Sequence, residues 1–275
     1  MENHRILLIN DMPGYGKVAL SAMIPVLSHM GFDLYNLPTA LVSNTLDYGR
    51  FDILDTTEYM GNTVRIWEEL GFSFDCICTG FIVSEKQAEL IAEYCASQKR
   101  KNGAKVFVDP IMGDHGRLYN GVSPQITQAM KKLCQTADVL MPNLTEAAFL
   151  AGMDAQQEDW TEKELQDLIG RLREQGARSV VITSAVTGKK AGIYGFEEES
   201  GQYFTEPVDY IPVCFPGTGD LFSAVLTGEM LKGRTLREST AIAARAVRTL
   251  IGLGLDSKDR YKGIPVEQYL GRLEV

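Results

Sequence analysis

The sequence predicts an α/β fold, a three-layer α/β/α sandwich around a mostly parallel central sheet. Three observations carry this. Short β-rich runs alternate with long helical patterns along the chain, as parallel strands joined by crossover helices require. Glycine and unusual polar residues gather directly after the strand-like runs, where ligand loops of an open α/β sheet lie. The composition, 45% hydrophobic and 23% charged over 275 residues, is ordinary for a globular chain and excludes collagen-like, disordered and coiled-coil classes.

The first strand is expected at Arg5–Asn10, followed by a turn-rich loop, Asp11-Met12-Pro13-Gly14-Tyr15-Gly16, and a helix to about Met30. A second strand over Asp33–Ala40 leads through a polar loop to Asp55 and a helix over Glu58–Leu70. Asp75–Thr79 reads as a strand ending in Gly80; Ser84 then caps a helix that Gly103 stops. Lys105–Val108 is the next strand, with Asp109-Pro110 at its end and a Gly-rich loop before a helix at Pro124–Thr136. Asp138–Met141 is a short strand, and a helix opens at Thr145-Glu146. A helix over Thr161–Glu174 precedes the strand Ser179–Thr183, and Ala191–Phe196 with Gln202–Pro207 reads as an antiparallel edge. Helices from about Gly217 and over Leu236–Gly252 close the chain. With no Pro/Ser-rich linker, low-complexity tract or fixed-period repeat, residues 1–275 read as one domain.

The formal net charge of -9 repels phosphate backbones and anionic membranes, so neither nucleic acid nor a membrane is an expected partner. A small phosphate ligand remains compatible, because backbone amides and a metal ion hold one without a basic patch. Cys76, Cys78, Cys95, Cys134 and Cys214 are irregularly spaced and read as reduced thiols packed in the core. The N-terminus lacks a signal-peptide h-region, and no apolar window is long enough to span a bilayer; a cytoplasmic location is the expectation.

The chemistry concentrates in three segments. In Gly217-Thr218-Gly219-Asp220 the glycines let the backbone turn tightly at a helix start, where orphan amides and the helix dipole favour an anion. Asp220 in that first turn is placed to accept a proton from a hydroxyl attacking a phosphoryl group; the alternative is a Gly-rich turn with an aspartate cap. Asp109-Pro110-Ile111-Met112-Gly113-Asp114 puts a carboxylate at a strand end, and Asn143-Leu144-Thr145-Glu146 puts another at a helix start. Mg²⁺ takes one or two carboxylates with waters and phosphates, so Asp109 with Glu146 would suffice; the alternative for each is a cap or a solvated charge. There is no G-x-x-x-x-G-K-[ST], which excludes a Walker-type loop, and Ala19 breaks a G-x-G-x-x-G begun at Gly14.

In these motifs, together with Val181-Ile182-Thr183-Ser184, the chain resembles the ribokinase superfamily and, within it, the pyridoxal/pyridoxamine kinase branch. The resemblance runs over nearly the whole length. It implies a single-domain, commonly dimeric enzyme that uses MgATP to phosphorylate the 5′-hydroxymethyl group of a B6 vitamer, with a monovalent cation as a further possible requirement. It makes Asp220 the general base and the amides of Gly217, Thr218 and Gly219 the stabilisers of the transferring group. Asp109 and Glu146 would organise Mg²⁺, Thr183 and Ser184 would contact ATP phosphates, and Asn143 and Asp114 would join the nucleotide side. Asp114–Gly121 would be a mobile cover over ATP. Asp11, Asn44, Phe81 and Gly16 would lie on the substrate side.

That side departs from the family. Asp11 stands where many relatives carry Ser, Thr45-Leu46-Asp47 replaces His-Thr-Gly after the retained Asn44, and Phe81 replaces a common Tyr. A carboxylate facing a ring nitrogen favours its protonated form, so Asp11 would select a pyridinium; the alternative is a cap for the helix after Gly16. The competing functions are a hydroxymethylpyrimidine kinase, a sugar or nucleoside kinase, and a non-catalytic vitamin-binding relative.

Overall fold

The apolar runs form the strands, and the intervening periodic segments form helices that cover them. The computed structural model describes residues 4–119, 122–157, 159–187, 190–209 and 211–275. These gather into two compact units, Met1–Gly80 with Asp209–Val275, and Phe81–Val208.

The first unit opens with β1 (Arg5–Tyr15), in which Ile6, Leu7, Leu8 and Ile9 are wholly buried. Helix α1 (Ala19–His29) packs on it and leads to β2 (Asp33–Asn44), parallel to β1. β3 (Ile53–Asp55) pairs antiparallel with β2, α2 (Thr57–Glu69) follows, and β4 (Cys76–Thr79) lies parallel to β1 on its other side. Strand order in this unit is therefore β4-β1-β2-β3. The connections leave β1 first to one side and then to the other, a switch point of the kind where ligands bind beyond the strand carboxyl ends.

In the second unit α3 (Glu85–Asn102) starts on Ser84, whose Oγ accepts the Gln87 N–H at 3.3 Å, and ends at Gly103 with φ 71°. β5 (Lys105–Val108) is followed by the short strands β6 (Gly113–Asp114) and β7 (Arg117–Leu118). Then come α4 (Pro124–Cys134), β8 (Val139–Leu140), α5 (Leu144–Ala151) and α6 (Glu162–Glu174). β9 (Ser179–Thr187), β10 (Lys190–Glu197) and β11 (Gln202–Pro207) complete the order β5-β8-β9-β10-β11, parallel as far as β9 and antiparallel beyond it. The chain then returns to the first unit, where α7 (Thr218–Leu231) packs on α1 and on α8 (Leu236–Gly254).

The α/β class and the antiparallel edge agree with the sequence reading. The segment 11–15, expected as a loop, is strand instead: after a register shift between Asn10 and Met12, β1 pairs on with Leu41, Val42 and Asn44 of the lengthened β2. β9 likewise runs past Thr183, because β10 supplies partners for Ala185 to Thr187 across a second register shift. The loop expected to cover a nucleotide begins as the β6–β7 hairpin. Its central residues, His115 (φ 50°) and Gly116 (φ 72°), are both left-handed, as a two-residue type I′ turn demands. Asn120 and Gly121, the end of that segment, lie outside the described residues. Four cysteines are buried as expected, but Cys214 is exposed, in the irregular segment before α7 rather than on an element with an inner face.

Leu8→Ala in the middle of β1 is expected to destabilise the protein by about 2–5 kcal/mol in urea denaturation. Leu54→Ala, at a side chain 60% exposed on β3, should stay within about 0.5 kcal/mol of the parent.

Candidate active site

Gly217 caps α7 in the left-handed region (φ 86°), and a Cβ there would stand 2.6 Å from the Lys17 carbonyl oxygen. Only glycine meets both constraints, and the turn it permits puts Asp220 in the first helical turn, 7% exposed. One carboxylate oxygen, Oδ1, accepts the Asn10 Nδ2–H at 3.0 Å from the middle of β1. The other, Oδ2, accepts the backbone N–H of Ala19 at 2.8 Å. Ala19 opens α1, whose N-cap Val18 supplies no side-chain acceptor. Asp220 thus takes the place of a local cap, at the positive end of the helix dipole. Ala19 itself holds a left-handed φ of 48°, a conformation costly for a residue with a Cβ. Burial pushes the Asp220 carboxyl up while the Ala19 and Asn10 donors hold it down, leaving it at about 6. A carboxylate in that range is basic enough to take a proton and still ionised at neutral pH.

Asp11 follows Asn10 and is 8% exposed. It does not cap α1, since Asp220 occupies that position. Its backbone N–H donates to Asn10 Oδ1 at 3.0 Å. Among the described residues its carboxyl is approached only by its own N–H; burial first, and then the Asp220 charge, push it up to about 7.

Gly16 (φ 152°) lets the chain pass Thr45, whose Cγ2 would stand 2.4 Å from a Cβ. Asn44, expected on the substrate side, spends its amide within its own turn: Nδ2 donates to the Thr45 and Arg50 carbonyls at 3.1 and 2.9 Å. Unforeseen from sequence is the segment Asp259–Glu267, which ties these loops together. Lys17 N–H donates to the Lys262 carbonyl at 2.6 Å, Thr45 Oγ1 to the Tyr261 carbonyl at 2.6 Å, and Tyr48 OH to Asp259 Oδ2 at 2.5 Å. Lys17 and Glu267 form an ion pair across the same contact.

The second unit carries the other predicted carboxyls. Asn143 and Glu146 form a capping box at the start of α5: Asn143 Oδ1 accepts the Glu146 N–H, and Glu146 Oε2 accepts the Asn143 N–H, each at 2.9 Å. Glu146 Oε1 accepts the Met112 N–H at 3.0 Å and the Gly113 N–H at 3.5 Å, and Asn143 Nδ2 donates to the Gly113 carbonyl at 2.8 Å. The Asn143 amide is therefore engaged at both ends in fastening the Met112–Gly113 backbone to α5. Burial, followed by the charge of Asp109, pushes Glu146 well above the usual carboxylate range. Two neighbouring, largely buried carboxyls with oxygen-only chemistry fit Mg²⁺ held partly through water. Among the described residues no group of three or more His, Cys, Asp or Glu gathers. Asp114 Oδ1 accepts the His115 N–H at 2.7 Å inside the hairpin, which Thr145 Oγ1 anchors through the Gly116 N–H at 2.9 Å. Thr183 donates its N–H to the Pro142 carbonyl at 2.9 Å, and Ser184, exposed and left-handed (φ 58°), sits in the β9 register shift. Phe81, the first residue of the second unit, is buried.

The structure thus brings Asp220 and Asp11 together in one unit, and Asp109, Glu146 and Asn143 together in the other. Sequence reasoning missed Asn10 and the Ala19 amide. The available signal for Asn10 was an amide closing an otherwise apolar strand, where a buried polar group needs a partner.

Residues 31–264 match the phosphomethylpyrimidine kinase family. The structure is similar to that of a provisionally named phosphomethylpyrimidine kinase of Bacteroides thetaiotaomicron crystallised with pyridoxal, at 31% identity and a TM-score of 0.94, covering 100% of this chain and 96% of that one. It is also similar to pyridoxal kinase from Lactobacillus plantarum, at 28% identity and a TM-score of 0.88 over 98% and 96% of the two chains. Among curated relatives, pyridoxal kinase of Rubrobacter xylanophilus is 27% identical over 90% of this chain and 86% of its own.

Because the Asp11 carboxyl sits at about 7 when folded against an ordinary 3.8, its ionisation opposes folding. The folded state binds the extra proton between those values, so this cost is absent below the lower one and complete above the upper one. Asp11→Asn is therefore expected to raise the unfolding free energy at pH 8, with a gain that shrinks as the pH falls from 7 towards 4, as denaturation across that range would record.

Proposed function

Since the chain belongs to the phosphomethylpyrimidine kinase family, in the pyridoxal kinase branch of the ribokinase-like superfamily, we propose that it transfers the γ-phosphoryl group of ATP to the 5′-hydroxymethyl group of a B6 vitamer. The observation that carries this is Asp220, a buried carboxylate gripped on both oxygens at the mouth of a helix. As the hydroxyl oxygen attacks the γ-phosphorus, Asp220 takes its proton; the bond to the β,γ-bridging oxygen breaks and ADP leaves. The first-turn N–H groups of Thr218, Gly219 and Asp220, which have no partner within α7, would stabilise charge on the transferring oxygens. In this reading Gly217 supplies the turn rather than an aligned donor.

Asp109 and Glu146 would hold Mg²⁺ through water, with Glu146 also keeping the Met112–Gly113 backbone in place. The ion, when bound, would offset the negative charge of the nucleotide phosphates. Thr183 and the exposed Ser184 would offer hydroxyl and amide donors to ATP. Asp11 supports a substrate bearing an N–H donor, of which a protonated pyridine nitrogen is the simplest example. The pyridoxal complex of the 31% identical relative favours a B6 vitamer over hydroxymethylpyrimidine. A homodimer in the cytoplasm completes the reading.

With MgATP, wild-type protein is expected to phosphorylate at least one of pyridoxal, pyridoxamine and pyridoxine in preference to hydroxymethylpyrimidine, followed by ADP release; no turnover with any B6 vitamer would overturn the proposal. Asp220→Asn should lower kcat by about 10²–10⁴-fold while ATP binding persists. Wild-type activity should fall as the pH drops through about 6, where Asp220 becomes protonated. Asp11→Ser should change the pH profile of kcat/KM for pyridoxal and pyridoxamine; an unchanged profile would remove Asp11 from ring recognition.

A further inference from the structure

Two carboxyls, Asp220 and Asp11, lie buried beside each other at the register shift in the middle of β1, and like charges so placed resist ionising together. The side chain between them is Asn10, 1% exposed. Its Oδ1 accepts the Asp11 backbone N–H at 3.0 Å, which fixes the orientation of the amide and turns Nδ2 towards Asp220 Oδ1 at 3.0 Å. The reverse orientation would set an oxygen against a carboxylate and an N–H against an N–H. Gly80, at the end of β4, gives the amide its space: a Cβ there would stand 2.4 Å from Asn10 Cγ and Nδ2. Met23 of α1 closes the other side, its sulfur 3.6 Å from Nδ2.

Resting on Asp220 as the base of the proposed reaction, we propose that Asn10 is a positioning residue that makes Asp220, rather than Asp11, the carboxyl that ionises first, and holds its oxygens towards the acceptor hydroxyl. The donor's chemistry suits the task. A lysine or arginine here would bind the carboxylate so firmly that it became a poor base, whereas an apolar residue would leave it partly protonated at neutral pH. A neutral amide falls between these extremes. Asn10 shares the task of favouring the Asp220 carboxylate with the Ala19 N–H, and is the side-chain donor of the two. β1 contributes Asp11, α1 contributes the Ala19 N–H, and β4 contributes Cys78, whose thiol meets Thr227 Oγ1 of α7 at 3.6 Å. Glu229, further along α7, is paired with Lys232 and Arg234, and Lys17 with Glu267.

The test is the pH dependence of kcat at saturating vitamer and MgATP for wild type, Asn10→Ala, Asn10→Leu, Gly80→Ala and Asp11→Asn. Both Asn10 variants should move the acid limb up by about one pH unit, with KM for ATP unchanged. Gly80→Ala, which displaces the amide without removing it, should move the limb the same way by less. Asp11→Asn, which removes a group still protonated while Asp220 titrates, should leave the limb in place; a limb that moves down would show Asp11 ionising first and overturn the order proposed. Lower kcat with an unmoved limb in the Asn10 variants would overturn the inference and reduce Asn10 to a packing role. If the Asn10 variants do not fold, an unmoved limb in Gly80→Ala overturns it equally. Failure of the underlying reading looks different: wild type would be inactive with every vitamer, or Asp220→Asn would retain its turnover.

Discussion

The carboxylate of Asp220 is the constraint around which the first unit is arranged. A buried carboxylate is expensive unless donors meet it. Here they come from two consecutive elements far from it in the chain, the middle of β1 and the start of α1. Each also gains from the arrangement. Asn10, buried in the middle of a strand, finds an acceptor, and α1, which has no side-chain cap, has its first N–H satisfied. The left-handed Ala19 is the local strain that aims this N–H at Asp220.

Close backbone approach makes the arrangement possible. Gly217 and Gly263 both press on the Lys17 carbonyl oxygen, at distances where a Cβ would stand 2.6 Å away. Gly16 passes Thr45 as closely, and Gly80 clears the Asn10 amide. These glycines serve proximity as much as turn geometry, and together they let β1, α7 and the Asp259–Glu267 segment converge. That segment, bonded to Lys17, Thr45 and Tyr48, locks the approach from outside.

The second unit solves a related problem differently. Glu146 is buried and surrounded by backbone N–H groups, so its carboxylate both caps α5 and organises the start of the β6–β7 hairpin. A residue picked out as a metal ligand is thus also a structural hub, and its neighbour Asp109 supplies the charge that makes a nearby cation favourable. The two roles are compatible because a carboxylate has more lone pairs than its backbone partners use.

The order of strands and helices, the antiparallel edge and the cap at Ser84 were legible in the sequence, because periodicity and capping are local properties. So were Asp109, Glu146, Gly217 and Asp220, since each sits where a strand or helix begins or ends. The extension of β1 to Tyr15 and of β9 to Thr187 was not, because strand length there depends on partners supplied by β2 and β10. Nor was Asn10: its significance comes from Asp220, 210 positions away, and only tertiary folding brings the two within hydrogen-bond distance. Sequence alone determined which groups are available for chemistry. The tertiary structure decided which carboxyl is held by donors and which is left with its own N–H, because burial and hydrogen-bond partners are properties of the packed chain.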